Sequence, residues 1–298
     1  MASLSIDKNT YNKAIVDALR SRSFDKFAAA SDYYIRTRMY EEAFCKKILP
    51  PETITRAECQ RSTTHELPCV VKDIAPEAEA VALTFRGEPD HAYVTGKRFE
   101  IGFYEISTLE YQKSEKELFT YEMPLTQLLE EVMIKSLAQK EDEGFMKQVD
   151  DCVLRNNKHI RVPTFDHKID KNAIIELRKQ IDCDNLETAC LLMNSRTYLD
   201  LSRFDSDKVD QMAGKLLIDG YREKTILGVP VYVTMKEDIV KYNDVYSFCA
   251  PQYLGYFYVL DEPKFWVESK KNILHMQAWE EIGVGFGNSR GMAKLTII

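Results

Sequence analysis

Nowhere does the sequence carry an apolar run near the ~20 residues that a membrane-spanning helix requires. Asp7 and Lys8 interrupt any signal-peptide pattern at the start. The expectation is a soluble chain with no membrane partner. Histidine is scarce: five residues (65, 91, 159, 167 and 275) are too dispersed to form an evident triad. No G-x-S-x-G, H-E-x-x-H or Walker-type loop is present. Cysteine is odd in number, seven residues at 45, 59, 69, 152, 183, 190 and 249, without a framework spacing. That excludes a fully paired disulfide scaffold and suits thiols acting as small buried hydrophobes in a reducing compartment. Internal repeats and low-complexity linkers are absent as well.

What is present is a globular composition. With 45% hydrophobic and 29% charged residues, the chain is not of the disordered class. Its 298 residues can bury one large core or two ordinary ones. The net charge of −7 is unevenly placed, because residues 100–151 hold 13 acids against 5 lysines. The rest of the chain is close to neutral. A basic nucleic-acid-binding domain is not expected, since phosphate neutralisation needs clustered Lys and Arg.

Periodicity places the elements. Residues 7–48 read as two helices, the second with Ile35, Met39 and Ala43 on one stripe and Tyr40, Phe44 and Ile48 beside it, stopped by Pro50-Pro51. Residues 52–76 read as polar and irregular. Residues 78–106 read as a long hairpin, with Val81, Leu83 and Phe85 alternating, turn chemistry at 87–90, and clean alternation over Arg98–Phe103. Pro124 opens a helix with Leu125, Leu128, Leu129, Val132, Met133 and Leu137 on one side, running to about Lys147. Glu130, Glu131, Lys135, Lys140 and Glu141 are assigned to its outer face. Arg155–His159 reads as a polar patch. Asp170 caps a helix bearing Ala173, Ile174, Leu177 and Ile181. Thr188–Met193 is a buried strand, followed by a short helix through Tyr198 and Leu201. Leu227–Val233 is a strand in which Pro230 favours an edge, and Tyr253–Leu260 is another. Leu274, Met276, Ala278, Ile282, Val284 and Phe286 line one face of a long strand; Gly287–Gly291 turns, and Ala293–Ile298 returns. Helices and strands alternate without a βαβ rhythm, which makes the fold class α+β.

The candidates for chemistry are thin. Gly283, Gly285, Gly287 and Gly291 lie within and after a strand instead of between a strand and a helix, so they read as turn and bulge glycines and not as a phosphate loop. Cys59, His65 and Cys69 lie close together, but structural zinc wants two tight pairs. Cys190 sits in an apolar run and reads as core. Glu141-Asp142-Glu143 and Glu130-Glu131 are adjacent acids that read as a solvated or interface face. No convergent catalytic site emerges, and no cofactor is expected.

The order of these elements, with "TYEMPLTQLLEEVMIKSLAQKEDEGFMKQVDD" (Thr120–Asp151), "ACLLMNSRTYLDL" (Ala189–Leu201), "ILGVPVYVT" (Ile226–Thr234) and the closing "FWVESKKNILHMQAWEEIGVGFGNSRGMAKLTII", resembles the major capsid proteins of tailed bacteriophages, the Hong Kong 97-like shell fold. The resemblance implies an N-terminal arm (1–77), an extended E-loop hairpin (78–106), a peripheral domain with a long spine helix (107–152 and 254–298) and an axial domain (153–253). It implies a structural subunit, not an enzyme, that assembles with itself as hexamers and pentamers around double-stranded DNA without sequence specificity. Scaffolding, portal and decoration proteins would be further partners, and the virion the location, after assembly in the host cytoplasm. Lys97, Arg98, Glu100, Glu130 and Glu131 would make intersubunit contacts, and Trp266 and Trp279 would pack the peripheral domain. The cross-linking Asn that some family members carry has no match here. An encapsulin-like nanocompartment shell is the nearest alternative; a soluble metal-dependent enzyme using Cys59, His65 and Cys69 is the alternative from another class.

Overall fold

The structure, a computed structural model, describes residues 43–61, 68–73, 98–120, 129–164, 168–201 and 225–298. The predicted helices over 7–42, the hairpin tip, Lys97, His65 and the residues around Pro124 lie outside the described residues. A helical turn, α1 (Cys45–Ile48), leads into the short strand β1 (Pro51–Thr53). Strands β2 (Gln60–Arg61), β3 (Pro68–Asp73) and β4 (Arg98–Gly102) form a three-stranded antiparallel sheet. The 52–76 segment expected to be irregular therefore contains ladder. The partner of Arg98–Gly102 is Pro68–Asp73, so the hairpin base begins earlier in the chain than its alternation implied.

After β4 the chain breaks at Phe103 and joins a second sheet through β5 (Tyr104–Ser107) and β6 (Tyr111–Ser114), followed by α2 (Glu115–Thr120). A π-helical turn over Leu129–Ile134 feeds the long helix α3 (Lys135–Arg155), about 32 Å at 1.5 Å per residue. The helix continues well past Lys147. It stops at Asn156, whose side-chain amide donates to Cys152 O and Ser289 O, and Asn157 takes the left-handed conformation (φ 54°). Leu137, Ala138, Glu141, Asp142, Phe145, Met146, Val149 and Val153 are buried at spacings of one, three and four.

Next come β7 (His159–Val162), α4 (Lys171–Asp182), β8 (Thr188–Asn194) and α5 (Ser195–Leu201). The 155–159 patch is not a loose polar stretch: Lys158 is buried and donates to Gln180 O (2.7 Å) and Arg290 O (2.6 Å), with Asp184 as its counter-ion. The predicted stripe of α4 is buried in full. Strands β9 (Thr225–Ile226), β10 (Val229–Thr234) and β11 (Asp244–Cys249), then the turn α6 (Pro251–Leu254), complete this half. Pro230 faces the two-residue edge strand β9, before the ladder to β8 begins at Val231. Its missing N–H thus costs little.

Two long strands follow, β12 (Tyr256–Lys270) and β13 (Ile273–Gly285). They join through Lys271-Asn272, both at positive φ (54° and 60°), the two-residue turn that matches strand twist. Tyr253, expected at the start of a strand, lies instead in α6. β13 is the centre of a five-stranded sheet ordered β1-β12-β13-β5, with β6 also paired to β13. The last strand, β14 (Met292–Ile297), does not return along β13. It lies between β7 and β11 in a six-stranded sheet ordered β7-β14-β11-β8-β10-β9. One continuous core joins the sheets and α3; a smaller one, Val70, Ile101, Phe103, Tyr258 and Leu260, fastens the three-stranded sheet to β12. None of the seven cysteines forms a disulfide, and Cys183 is exposed instead of buried.

Candidate functional site

Charged and aromatic side chains gather in three described regions: a buried charge cluster, the hairpin base, and the polar seam between α3 and the six-stranded sheet. The cluster begins with position 141, four residues after Leu137 and four before Phe145, hence on the apolar stripe of α3. Glu141 is fully buried, which corrects its placement on the outer face. Glu280 occupies the one even position that interrupts the apolar face of β13, and it is also fully buried. Lys46 Nζ stands 2.5 Å from Glu141 Oε1 and 3.7 Å from Glu280 Oε2. Asp142, likewise buried, accepts from Lys236 Nζ (2.6 Å) and the Cys45 backbone N–H (3.0 Å). Tyr104 turns its hydroxyl toward the same region, and a Cβ on Gly144 would lie 3.0 Å from that oxygen, so the glycine admits β5 against α3.

Burial sets the electrostatics. It drives the Glu141 carboxyl well above the usual carboxylate range; Lys46 pulls the other way and the neighbouring Glu280 pushes further up. Burial by itself would depress Lys46, but Glu141 and Glu280 hold it firmly as an ammonium. Burial also raises Asp142 against the pull of Lys236, pushes the Tyr104 phenol up to about 12, and raises the Cys45 thiol. The acids of this stretch therefore have partners in the same chain, contrary to the expectation of a solvated face.

At the hairpin base, Phe99, Tyr256 and Tyr258 stack (centroids 6.5 and 5.6 Å apart), and Lys72 Nζ lies 5.0 Å above the Tyr256 ring and 5.5 Å from Tyr258. Ile101 and Phe103 lie directly over Gly285 and Gly283 of β13. Arg98 and Glu100 point outward and are exposed. The seam is built from Lys294, 3.2 Å from Asp150 of α3 and 3.0 Å from Asp244 of β11, with Tyr246 donating to Asp150 (3.1 Å). Thr296 donates to Asp244 (2.7 Å) and contacts His159 Nε2 (2.8 Å).

The other sequence-predicted residues are scattered. Glu130 and Glu131 belong to the π-helical turn, and Lys97 lies outside the described residues. Trp266 is 37% exposed and Trp279 half-buried, both on the face of the β12–β13 ribbon opposite its buried side chains, so Trp266 does not pack the interior. Cys69 is buried and Cys59 half-buried at the hairpin base; among the described residues no group of three His, Cys, Asp or Glu could hold a metal. Sequence reasoning missed Lys46 and Glu280. The break in the even-numbered apolar face at 280 was the available signal.

No protein-family model matches the sequence, and a search of curated proteins found no match. Solved structures do match. A virus-like particle from Pyrococcus furiosus aligns over 89% of this chain and 98% of its own, at 14% identity and a TM-score of 0.59. A chain from Mycobacterium phage Bobi aligns over 85% and 90%, at 7% identity and a TM-score of 0.61. The capsid of an empty GTA particle aligns over 86% and 90%, at 13% identity and a TM-score of 0.60. The chain thus has the α+β Hong Kong 97-like shell fold that its element order resembled.

Proposed function

We propose that the chain is a structural, non-catalytic subunit that assembles with copies of itself into a closed shell. The observation that carries this reading is near full-length likeness of fold, at 98% and 90% of the partner chains, to a virus-like particle and a capsid. The surface supports it: Leu109, Trp266 and Ile273 leave apolar area exposed on and beside the β12–β13 sheet, which neighbouring copies would cover. In the finer reading the protein is the major capsid protein of a tailed bacteriophage, built as hexamers and pentamers around double-stranded DNA. Scaffolding, portal and decoration proteins would join it, with assembly in the host cytoplasm and the virion as its destination. The five-stranded sheet with α3 would serve as the peripheral domain, the six-stranded sheet as the axial domain, and the chain between β3 and β4 as the E-loop. Arg98 and Glu100 at its base, with Lys97, Glu130 and Glu131, are the proposed contacts between subunits.

Electron microscopy and light scattering of the expressed chain test the reading. Closed particles are expected; a monodisperse 34.5 kDa monomer under all assembly conditions would overturn it. A second reading, a nanocompartment shell, draws on the same likeness to a virus-like particle, which is a closed shell as a phage capsid is. Purified particles decide between the two: packaged double-stranded DNA supports the capsid, an enclosed enzyme the compartment.

A further inference from the structure

We propose that Lys46, Glu141 and Glu280 form a one-proton clamp that fastens residues 43–49 to α3 and β13 and loosens when that proton leaves. The inference does not rest on the shell reading. It starts from a count of charges at a site closed to bulk solvent.

The segment 43–49 contributes Cys45 and Lys46; α3 contributes Glu141 and Asp142; β13 contributes Glu280; β5 contributes the Tyr104 hydroxyl; the loop after β10 contributes Lys236. Asp142 is satisfied as an anion by Lys236 and the Cys45 N–H. The Cys45 thiol and the Tyr104 phenol stay neutral. That leaves one ammonium, Lys46, facing two fully buried carboxyls. Apart from that ammonium, no donor among the described residues reaches any of their four oxygens. Two carboxylates side by side in a dry site cannot both ionise at modest cost, so one shares a proton with the other. Glu141, whose carboxyl burial drives well above the usual carboxylate range and whose Oε1 meets Lys46, is the partner we assign it to.

The sign follows. The folded state holds this proton far more tightly than the unfolded chain, whose glutamates titrate near 4.5. The contribution to stability is therefore complete below about pH 4.5 and declines as pH rises toward the raised folded value. Above that value two carboxylates share one ammonium among the described residues. The cheapest relief is to hydrate them by lifting the least anchored element. That element is residues 43–49, whose four-residue turn is closed among the described residues by three local bonds (Lys47 N–H and Ile48 N–H to Phe44 O, Leu49 N–H to Cys45 O), whereas α3 and β13 are held along their lengths.

Hydrogen exchange on the full chain, read at residues 43–49 from about pH 5 to about pH 9 and corrected for intrinsic rates, tests the clamp. Protection there should fall with rising pH by up to tenfold per pH unit, the limit for one proton, while β11 and β14 stay unchanged. Glu141→Gln keeps the shape but needs no proton, and should be flat over the same range. Glu280→Gln leaves one ammonium with one carboxylate and should be flat too, which decides the matter should Glu141→Gln fail to fold. Infrared spectra at neutral pH should show a protonated carboxylic acid in the wild type that Glu141→Gln removes. A flat wild-type profile, an unchanged slope in the variants, or no such band would overturn the proposal.

Discussion

A Cβ placed on Gly285 would stand 2.4 Å from Cγ1 of Ile101, a side chain with no solvent exposure. The hairpin base and β13 meet at a contact where neither side has room to yield. Gly285→Ala should therefore destabilise the chain by about 1–3 kcal/mol through overpacking. The denaturant midpoint should drop with an unchanged slope. Combining it with Ile101→Ala should cost less than the sum of the two changes, because the second makes the space that the first needs.

The seam between α3 and the six-stranded sheet depends on Lys294, which serves Asp150 and Asp244 together. Asp244 is buried, so Lys294→Met should cost about 1–3 kcal/mol by leaving a desolvated carboxylate with Thr296 as its remaining side-chain donor. Asp150→Asn removes only the half-exposed partner and should cost under ~1 kcal/mol. Thermal unfolding of the two variants checks the order. Equal losses would show that Asp150, not Asp244, carries the seam.

His159 titrates below its ordinary value because burial and the neighbouring Lys294 and Arg161 disfavour the imidazolium. A depressed histidine contributes stability above its unfolded value of 6.5, lost as pH falls through the lower folded value. Stability should thus decline on acidification below pH 6.5, and His159→Asn should shallow that decline. Denaturant midpoints measured against pH check it.

Deleting residues 86–97 should leave the subunit folded but unable to build stable shells. The core packed between α3 and the two larger sheets supplies the fold of the subunit. Circular dichroism with electron microscopy reads both halves of the statement. Normal particles would show that this segment is not the one that lies across neighbours.

Salt offers a further check. Arg98 and Glu100 are exposed, so contacts they make across subunits should weaken within the screening range of ordinary salt, about 10 Å at 0.1 M. The buried Lys46 pair should be indifferent. Assembly that falls with salt while subunit stability holds is the expected pattern.

What was legible locally came from one-sided burial. The stripe Ala173, Ile174, Leu177 and Ile181 and the run Thr188–Met193 needed no partner to be recognised, since period 3.6 or an unbroken apolar run already states which face is dry. Element order then carried the resemblance to a shell fold. The site was less legible. Glu141 sat on the apolar stripe and Glu280 on the apolar face of β13, yet acids at such positions read as surface until a counter-ion is known.

The sequence by itself determined the α+β class, the long strand of β13 and the helix of α4. Tertiary structure alone decided that β14 leaves β13 to lie between β7 and β11, and that Lys46 meets Glu141 and Glu280. The reason is physical. Amphipathic period is written in neighbouring residues, whereas strand partners and buried charge partners are chosen by which distant segments bury each other, and only the assembled core makes that choice.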